Sequence, residues 1–458
     1  CNASLEVADL GSICITWVSP RKFDEEGTGA VHRFISTSTG ALMDLNRRQK
    51  VMLFKFSAYG FLKNLRFFEP LILLYFTVAK GLSYTQFGVL IGLREVFIYL
   101  LEIPTGIMAD VTGRRRTMML CFSSYILSFL IFTFGESFWV FVPGMILFAA
   151  GDALRSGTHK SMIMTHLDRE GLADQKVHYY GFTRSMSRLG SAVAALAVGV
   201  FAFLGGDYAI IFPATIFPYV LALWLMTTYP SELDGEPKEH GPILGRMWSH
   251  MVESARSLFR TPKLGKVVLN ASVFDAFFRV SKDYLQPVVK AAALSLPVLA
   301  VVGGERERTF LMVGIVYFFI YMNSFASSRL SGRFVDRLPR LDSALDALFW
   351  ALALVFCLAG IFFREHLPVP TVIVLFALYT FYNLRKPAVV GFLSERIPGQ
   401  QRATILSVHS QLRAILAAVV APLLGLVADH PDLGIPWAFL LGGVALAILG
   451  ALLRLKSE

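Results

Sequence analysis

The chain has 458 residues, of which 55% are apolar and 17% charged, with a mean hydropathy of +0.57; a soluble domain carries roughly 45 to 50% and about 25%. That balance excludes an ordinary soluble enzyme, and three charge-free stretches, Tyr208–Ser231, Thr309–Ser328 and Leu433–Leu453, each match the ~20 helical residues that cross a hydrocarbon core. The net charge of +10 would point a soluble protein toward nucleic acid, but here the Lys and Arg gather in alternate loops, the pattern of cytoplasmic segments in a membrane protein, and no nucleic-acid partner is expected.

In chain order, residues 1–48 lack a long helical period and are rich in Ser, Thr and Gly; they are expected to form a poorly ordered cytoplasmic tail. The first residue is Cys1 rather than methionine, which fits either a processed start such as that of a lipoprotein or a fragment. Spans are predicted near 50–78, 84–109, 117–135, 138–160, 179–204 and 208–229, then near 267–289, 309–328, 343–363, 369–391, 403–427 and 435–453. The expected architecture is therefore an all-α membrane protein of twelve transmembrane helices in two six-helix bundles, 49–229 and 267–458. Between them, in the linker 230–266, Ile243, Leu244, Met247, Trp248, Met251, Val252, Ala255, Leu258 and Phe259 recur at helical spacing. They predict an amphipathic helix lying on the membrane surface or packed beneath the bundles. Cys1, Cys14, Cys121 and Cys357 show no paired spacing, so neither a disulfide framework, a metal site nor a cofactor is expected.

Loop charges set the orientation. Arg114, Arg115 and Arg116 follow span 2, Lys160, Arg169 and Lys176 surround the loop after span 4, and Arg329, Arg333, Arg337 and Arg340 follow span 8, whereas the opposite loops hold few basic residues. Both termini are expected on the cytoplasmic side.

Charges left inside the spans are costly, by several kcal/mol on most scales, and mark function or tight pairing. Span 1 carries Lys63, Asn64, Arg66 and Glu69, followed by Pro70; on a continuous helix Arg66 and Glu69 share a face and pair. Span 2 carries Arg94, Glu95 and Glu102, read as inter-helix pairs supporting the polar spans from behind. Span 4 carries Asp152 and Arg155, again three apart. In span 7, Asp275, Arg279 and Asp283 stand four apart and predict a ladder on one face, with Asn270, Lys282 and Gln286 beside it. Span 10 carries Tyr379, Tyr382, Asn383 and Arg385 before Pro387. His32, His159, His166 and His178 fall in tail or loop contexts and read as solvated. No Ser-His-Asp constellation or phosphate loop supports an enzyme.

An internal repeat ties the halves together. Gly106-Ile-Met-Ala-Asp110-Val-Thr-Gly113-Arg114-Arg115-Arg116 closes span 2, and Gly332-Arg-Phe-Val-Asp336-Arg337-Leu-Pro339-Arg340 closes span 8, with the same Gly to Asp spacing. With the span count and central linker, this resembles the major facilitator superfamily, whose loop between helices 2 and 3 reads Gly-x-x-x-Asp-x-x-Gly-Arg-Arg. Val111 stands where the family often has a base, Pro339 replaces the later glycine in the second copy, and the span 4 pattern of family drug exporters is absent. The resemblance implies a bacterial inner-membrane transporter, monomeric, that carries a small molecule. It also implies that Gly106, Asp110, Gly113, Arg114, Arg115, Gly332, Asp336 and Arg337 form conformational switch loops, Gly106 allowing close helix approach and Asp110 facing the start of span 11 near Arg402.

In that family spans 1, 4, 7 and 10 line the central cavity, which would place Lys63, Asn64, Arg66, Glu69, Asp152, Arg155, Asp275, Arg279, Lys282, Asp283, Tyr379, Tyr382, Asn383 and Arg385 around a solute. Bases outnumber acids, which leans toward an anionic or zwitterionic cargo. A proton carrier needs a buried carboxylate that a cation approaches in one state only; Glu69 fits first and Asp275 second, and sodium coupling stays open. Secondary active transport of a small organic solute, coupled to protons, is the expected function; a non-transporting membrane scaffold or sensor is the alternative.

Overall fold

A computed structural model describes residues 45–235, 262–336, 341–396 and 402–455, apart from the side chains of 332–336, 402–407 and a few other positions. The tail before residue 45, the linker helix expected over 243–259, and Arg337 lie outside the described residues. No strand occurs among the described residues. The first half consists of α1 (Arg47–Leu62), the short α2 (Ile72–Leu74) continued by a π-helical turn to Ala79, α3 (Tyr84–Thr112), α4 (Arg114–Phe134), α5 (Phe138–Arg155), α6 (Thr158–Arg169), α7 (Lys176–Phe201) and α8 (Ile211–Thr227). The second half consists of α9 (Pro262–Ser281), α10 (Leu285–Ser295), α11 (Glu305–Asp336), α12 (Leu341–Arg364), α13 (Pro368–Arg396), α14 (Arg402–Asp429) and α15 (Gly434–Leu452). Nine segments among the described residues are long and apolar enough to cross a membrane. Residues 47–79, 262–295 and 368–396 run to similar length but are broken or rich in polar groups, so the architecture is consistent with twelve crossings.

The first crossing of each half is not one continuous helix, and proline chemistry accounts for both interruptions. In the first half α1 begins with a capping box, the Asn46 side chain accepting from the Gln49 amide at 2.9 Å and the Gln49 side chain accepting from the Asn46 amide at 3.0 Å. It stops at Leu62 and the chain resumes as helix only at Ile72; within the gap Pro70 has no N–H to donate and its ring clashes with the carbonyl four residues earlier, which keeps residues 66–70 from continuing the helix. In the second half α9 ends at Ser281, a 3-10 turn spans Lys282–Tyr284, and α10 starts just before Pro287. The backbone groups freed in the first break are satisfied from the second half. The buried Gln286 side chain accepts from the amides of Leu73 and Leu74 at 2.8 and 3.3 Å and donates to the Glu69 carbonyl at 3.2 Å, as membrane interiors require of irregular backbone.

The two halves meet along α3 against α14 and α7 against α11. The contacts concentrate at the face opposite the termini, where α3 begins and α14 ends. There a Cβ on Gly425 would lie 2.5 Å from the Tyr84 carbonyl, and one on Gly314 would lie 2.6 Å from the Gly199 backbone; only glycine lets these backbones approach so closely. The Asp429 carboxylate closes the same face by accepting from the Tyr84 amide (2.8 Å), the Thr85 amide (2.7 Å) and the Thr85 hydroxyl (2.6 Å). It thus caps the N-terminus of α3 from the other half.

Candidate functional site

Below that seal lies a cavity of about 810 Å³ between the halves. Its walls come from the α1 break, α3, α5 to α7, α9, α13 and α14, and its lining residues Glu102, Ser156, Gly157, Lys160 and Arg184 are exposed at the termini face, where the cavity opens.

On the first-half wall, one buried carboxylate organises the charges. Asp152 accepts from the Tyr125 hydroxyl at 2.5 Å, from Arg94 at 2.7 Å and from Arg155 at 3.1 Å, and Arg66 reaches it at 3.9 Å. The expected Asp152 and Arg155 pair is present inside this larger group. Arg66 does not pair with Glu69, because the break removes the helical register that would align them. Instead its Nε donates to the Tyr219 hydroxyl at 3.1 Å, which donates in turn to the Lys63 carbonyl at 3.0 Å. Lys63 places its ammonium 5.6 Å from the Tyr59 ring centroid, and among the described residues no carboxylate lies within ion-pair distance of it. Asn64 lines the cavity, but its side-chain amide donates to the Gly60 carbonyl at 2.6 Å and so ends α1.

The second-half charges take partners across the cavity. The expected ladder of Asp275, Arg279 and Asp283 is not formed: the 3-10 turn after Ser281 takes Asp283 out of register, and Asp275 and Arg279, both within α9, take other partners. Arg279 donates to Glu95 of the first half at 2.6 Å, and Glu95 is only 2% exposed. Lys282 donates to Asp283 at 3.2 Å and stands 4.0 Å from Glu69. Asp275 faces His409 at 3.5 Å. Two ion pairs therefore join the halves at mid-depth. Glu95 is expected from the sequence to be one member of an inter-helix pair behind the cavity; the sequence does not name its partner, which is Arg279 of the other half.

The span 10 residues separate. Tyr382 lines the cavity and stacks on Phe278 at 3.8 Å with rings 4° from parallel. Tyr379 lies behind it, edge-on to Phe278 and donating to the Lys282 carbonyl at 3.4 Å. Asn383 turns to α11, donating to the Ser324 hydroxyl at 3.1 Å. Arg385 is buried inside the second half, bonded to Asn270 with its guanidinium 4.2 Å from the Phe274 ring centroid. Asn383 and Arg385 thus lie outside the cavity, because α13 turns these positions toward its own bundle.

The motif loop is tied to its own half. Gly113 turns the chain between α3 and α4 at φ +95°, and a Cβ there would meet the Asp234 carboxylate at 2.9 Å. Asp234 accepts from the Arg115 amide at 2.7 Å, the Arg115 guanidinium donates to the Tyr229 carbonyl at 3.1 Å, and Arg114 donates to Thr165 at 2.7 Å. No described atom lies within 4 Å of a Cβ on Gly106; close helix approach is absent there because the halves are apart at this face. Asp110 is half-buried at the end of α3. Gly332 and Asp336 fall on the last turn of α11; their side chains, and those at the start of α14 opposite Asp110, are outside the described set.

Two histidines expected to be solvated are buried instead. Residues 158–169 form helix α6, which packs against α1. His159 stacks on Tyr59 at 3.5 Å and lies 3.3 Å from the Tyr229 hydroxyl, and His166 packs edge-on to Phe56 at 5.7 Å.

A family model, the Major Facilitator Superfamily, matches residues 55–422. The uncharacterized MFS-type transporter YxaM of Bacillus subtilis (strain 168) is 20% identical over 366 residues, covering 79% of this chain and 85% of that protein. Among solved structures, the nucleoside transporter NupG superposes with a TM-score of 0.71 at 11% identity, covering 89% of this chain and 99% of that one. The peptide transporter POT in complex with sulfate superposes at 0.68 and 15% identity, covering 88% and 93%.

Proposed function

The chain belongs to the major facilitator superfamily, a membrane transporter rather than an enzyme, and from that membership we propose secondary active transport of a small organic solute by alternating access, driven by protons. The observation that carries this reading is the pair of ion contacts spanning the cavity, Glu95 to Arg279 and Glu69 to Lys282. Each has one member on either half, so a rocking motion must break or remake them. A scaffold with no turnover would gain by losing such charges from the membrane interior.

The excess of Lys and Arg in the loops at the termini face supports a cytoplasmic orientation for that face, in a bacterial inner membrane on this proposal. On this orientation the conformation is inward-open. Rocking would part Asp429 from the N-terminus of α3 and bring the Asp110 loop toward the start of α14. Glu69, half-buried and opposed by Lys282, is the first candidate carrier. Protonation removes its attraction for the lysine and frees the halves to move; reapproach of Lys282 expels the proton. Asp275 beside His409 is the second candidate. One chain contains the whole cavity, which supports a monomer.

The test is flux in proteoliposomes across a solute panel with an imposed pH gradient. A gradient-driven flux that Glu69→Gln uncouples, leaving exchange of cargo intact, is the expected result. No gradient-dependent flux for any solute would sink the transport reading, and an unaltered Glu69→Gln would remove Glu69 from the mechanism.

A further inference from the structure

The cations of the two halves differ in how well they are neutralised. On the second-half wall Arg279 has Glu95 at 2.6 Å, and Lys282 has Asp283 at 3.2 Å with Glu69 at 4.0 Å. On the first-half wall three guanidiniums, those of Arg66, Arg94 and Arg155, share the single carboxylate of Asp152, and Lys63 beside them has none. One Asp152 oxygen already accepts from Tyr125 and Arg155 and the other from Arg94, so Asp152 has little capacity left for Arg66 or Lys63. Both line the cavity. Uncompensated cations at membrane depth need a counter-charge, and a cavity of about 810 Å³ has room for an organic molecule rather than a bare inorganic ion. The opposite wall offers the Tyr382 ring, which the buried Phe278 ring backs face to face, an aromatic surface suited to an unsaturated or aromatic body.

We infer that the cargo is an organic anion, its carboxylate or phosphate held by Lys63, Arg66 and Arg155 and its planar body lying against Tyr382, which Phe278 backs. The inference rests on the transport reading only in treating the ligand as cargo. Arg184 and Lys160 at the mouth extend the positive field outward and would steer such anions inward.

The test is equilibrium binding to the full chain in detergent, read as the thermal unfolding midpoint at constant ionic strength. The probes are benzoate, cinnamate and phenyl phosphate, with benzyl alcohol and benzyltrimethylammonium as neutral and cationic controls. A saturable rise in Tm is expected with the acids alone, the stronger of the carboxylate and phosphate arms identifying the acidic group. Lys63→Gln should weaken apparent affinity by about tenfold, the worth of one charge-assisted contact, and Lys63→Arg should restore most of it. If Lys63→Gln does not fold, protection of Lys63 in the wild-type chain from an amine-acylating reagent, read by mass spectrometry, replaces it. Absence of a saturable shift with every acid, equal shifts in wild type and Lys63→Gln, no protection, or saturation by the neutral or cationic probe would each overturn the proposal. Binding does not depend on flux, so acids that bind without being transported would defeat the transport reading and leave the anion site standing.

Discussion

The first-half network around Asp152 and the contacts of Arg279 and Lys282 use the same residue types at similar depth, but they differ in what holds their partners together. Asp152, Tyr125, Arg94, Arg155 and Arg66 all belong to the first half and, on the rocking mechanism proposed above, would move as one body. Arg279 and Glu95, like Lys282 and Glu69, belong to different halves. A charge network inside one body serves as a frame that persists through a conformational cycle, whereas a pair between bodies serves as a clasp whose breaking is part of the cycle. Loss of the frame's central carboxylate should therefore act on folding, and mutations in the clasp on turnover.

The largest effect is expected at the frame. Asp152→Ala removes the one carboxylate shared by three buried guanidiniums, and breaking a buried pair in this way costs about 3 to 5 kcal/mol. Yield of monodisperse protein and the unfolding midpoint should both collapse. A variant that folds like wild type and loses only flux would mean that Asp152 is a cargo or proton residue and not a frame.

The clasp should give a smaller stability change and a larger functional one. Arg279→Gln leaves Glu95 buried without its cation, at a cost of about 1 to 3 kcal/mol, and flux should fall by tenfold or more. Adding Glu95→Gln removes the stranded charge, so the double variant should recover much of the lost Tm while remaining inactive. Recovery of flux together with Tm would reduce the pair to packing and erase the distinction between clasp and frame.

How much of this was legible in the sequence follows the same division. Span positions, the duplicated motif and the identity of nearly every intramembrane charge could be read from hydropathy and spacing, because each depends on residues near one another in the chain. Pairing could not. The expected Arg66 and Glu69 pair and the Arg279 to Asp283 step of the ladder assumed unbroken helices, which the breaks near Pro70 and Pro287 interrupt, while Asp275 and Arg279, still in register on α9, take other partners; Pro70 hinted at an opening without saying which groups would fill it. The actual partners, Arg66 with Tyr219 and Asp152, Arg279 with Glu95, and Gln286 with Glu69 and Leu73, lie on helices distant in sequence. Tyr125 and Tyr219 sit in apolar runs that look like ordinary packing, and only their contacts reveal hydroxyls that support the charges. His159, at the edge of the predicted span 138–160, was read as solvated, whereas α6 follows α5 directly and turns the ring inward.

The smallest predicted effect probes the clasp at its exposed end. Asp429 belongs to the second half and caps α3 of the first, so it stabilises only the conformation closed at this face. Asn at 429 keeps an acceptor but removes the charge that interacts with the helix terminus, a loss of about 0.5 to 1 kcal/mol at an exposed site. The differential affinity of a contact for two states sets how far it can shift their populations, and this amount corresponds to roughly two- to fivefold. The measurement is the distance between spin labels at exposed Phe203 and Leu367, which flank this face on opposite halves, in a background with the four native cysteines replaced. The population at long separation should rise by that factor in Asp429→Asn, and added salt, which screens the wild-type contact, should narrow the difference between the two. An unchanged distance distribution would show that the close packing of Gly425 and Gly314 holds the face shut by itself, leaving the ion pairs at mid-depth as the only electrostatic contribution to the switch.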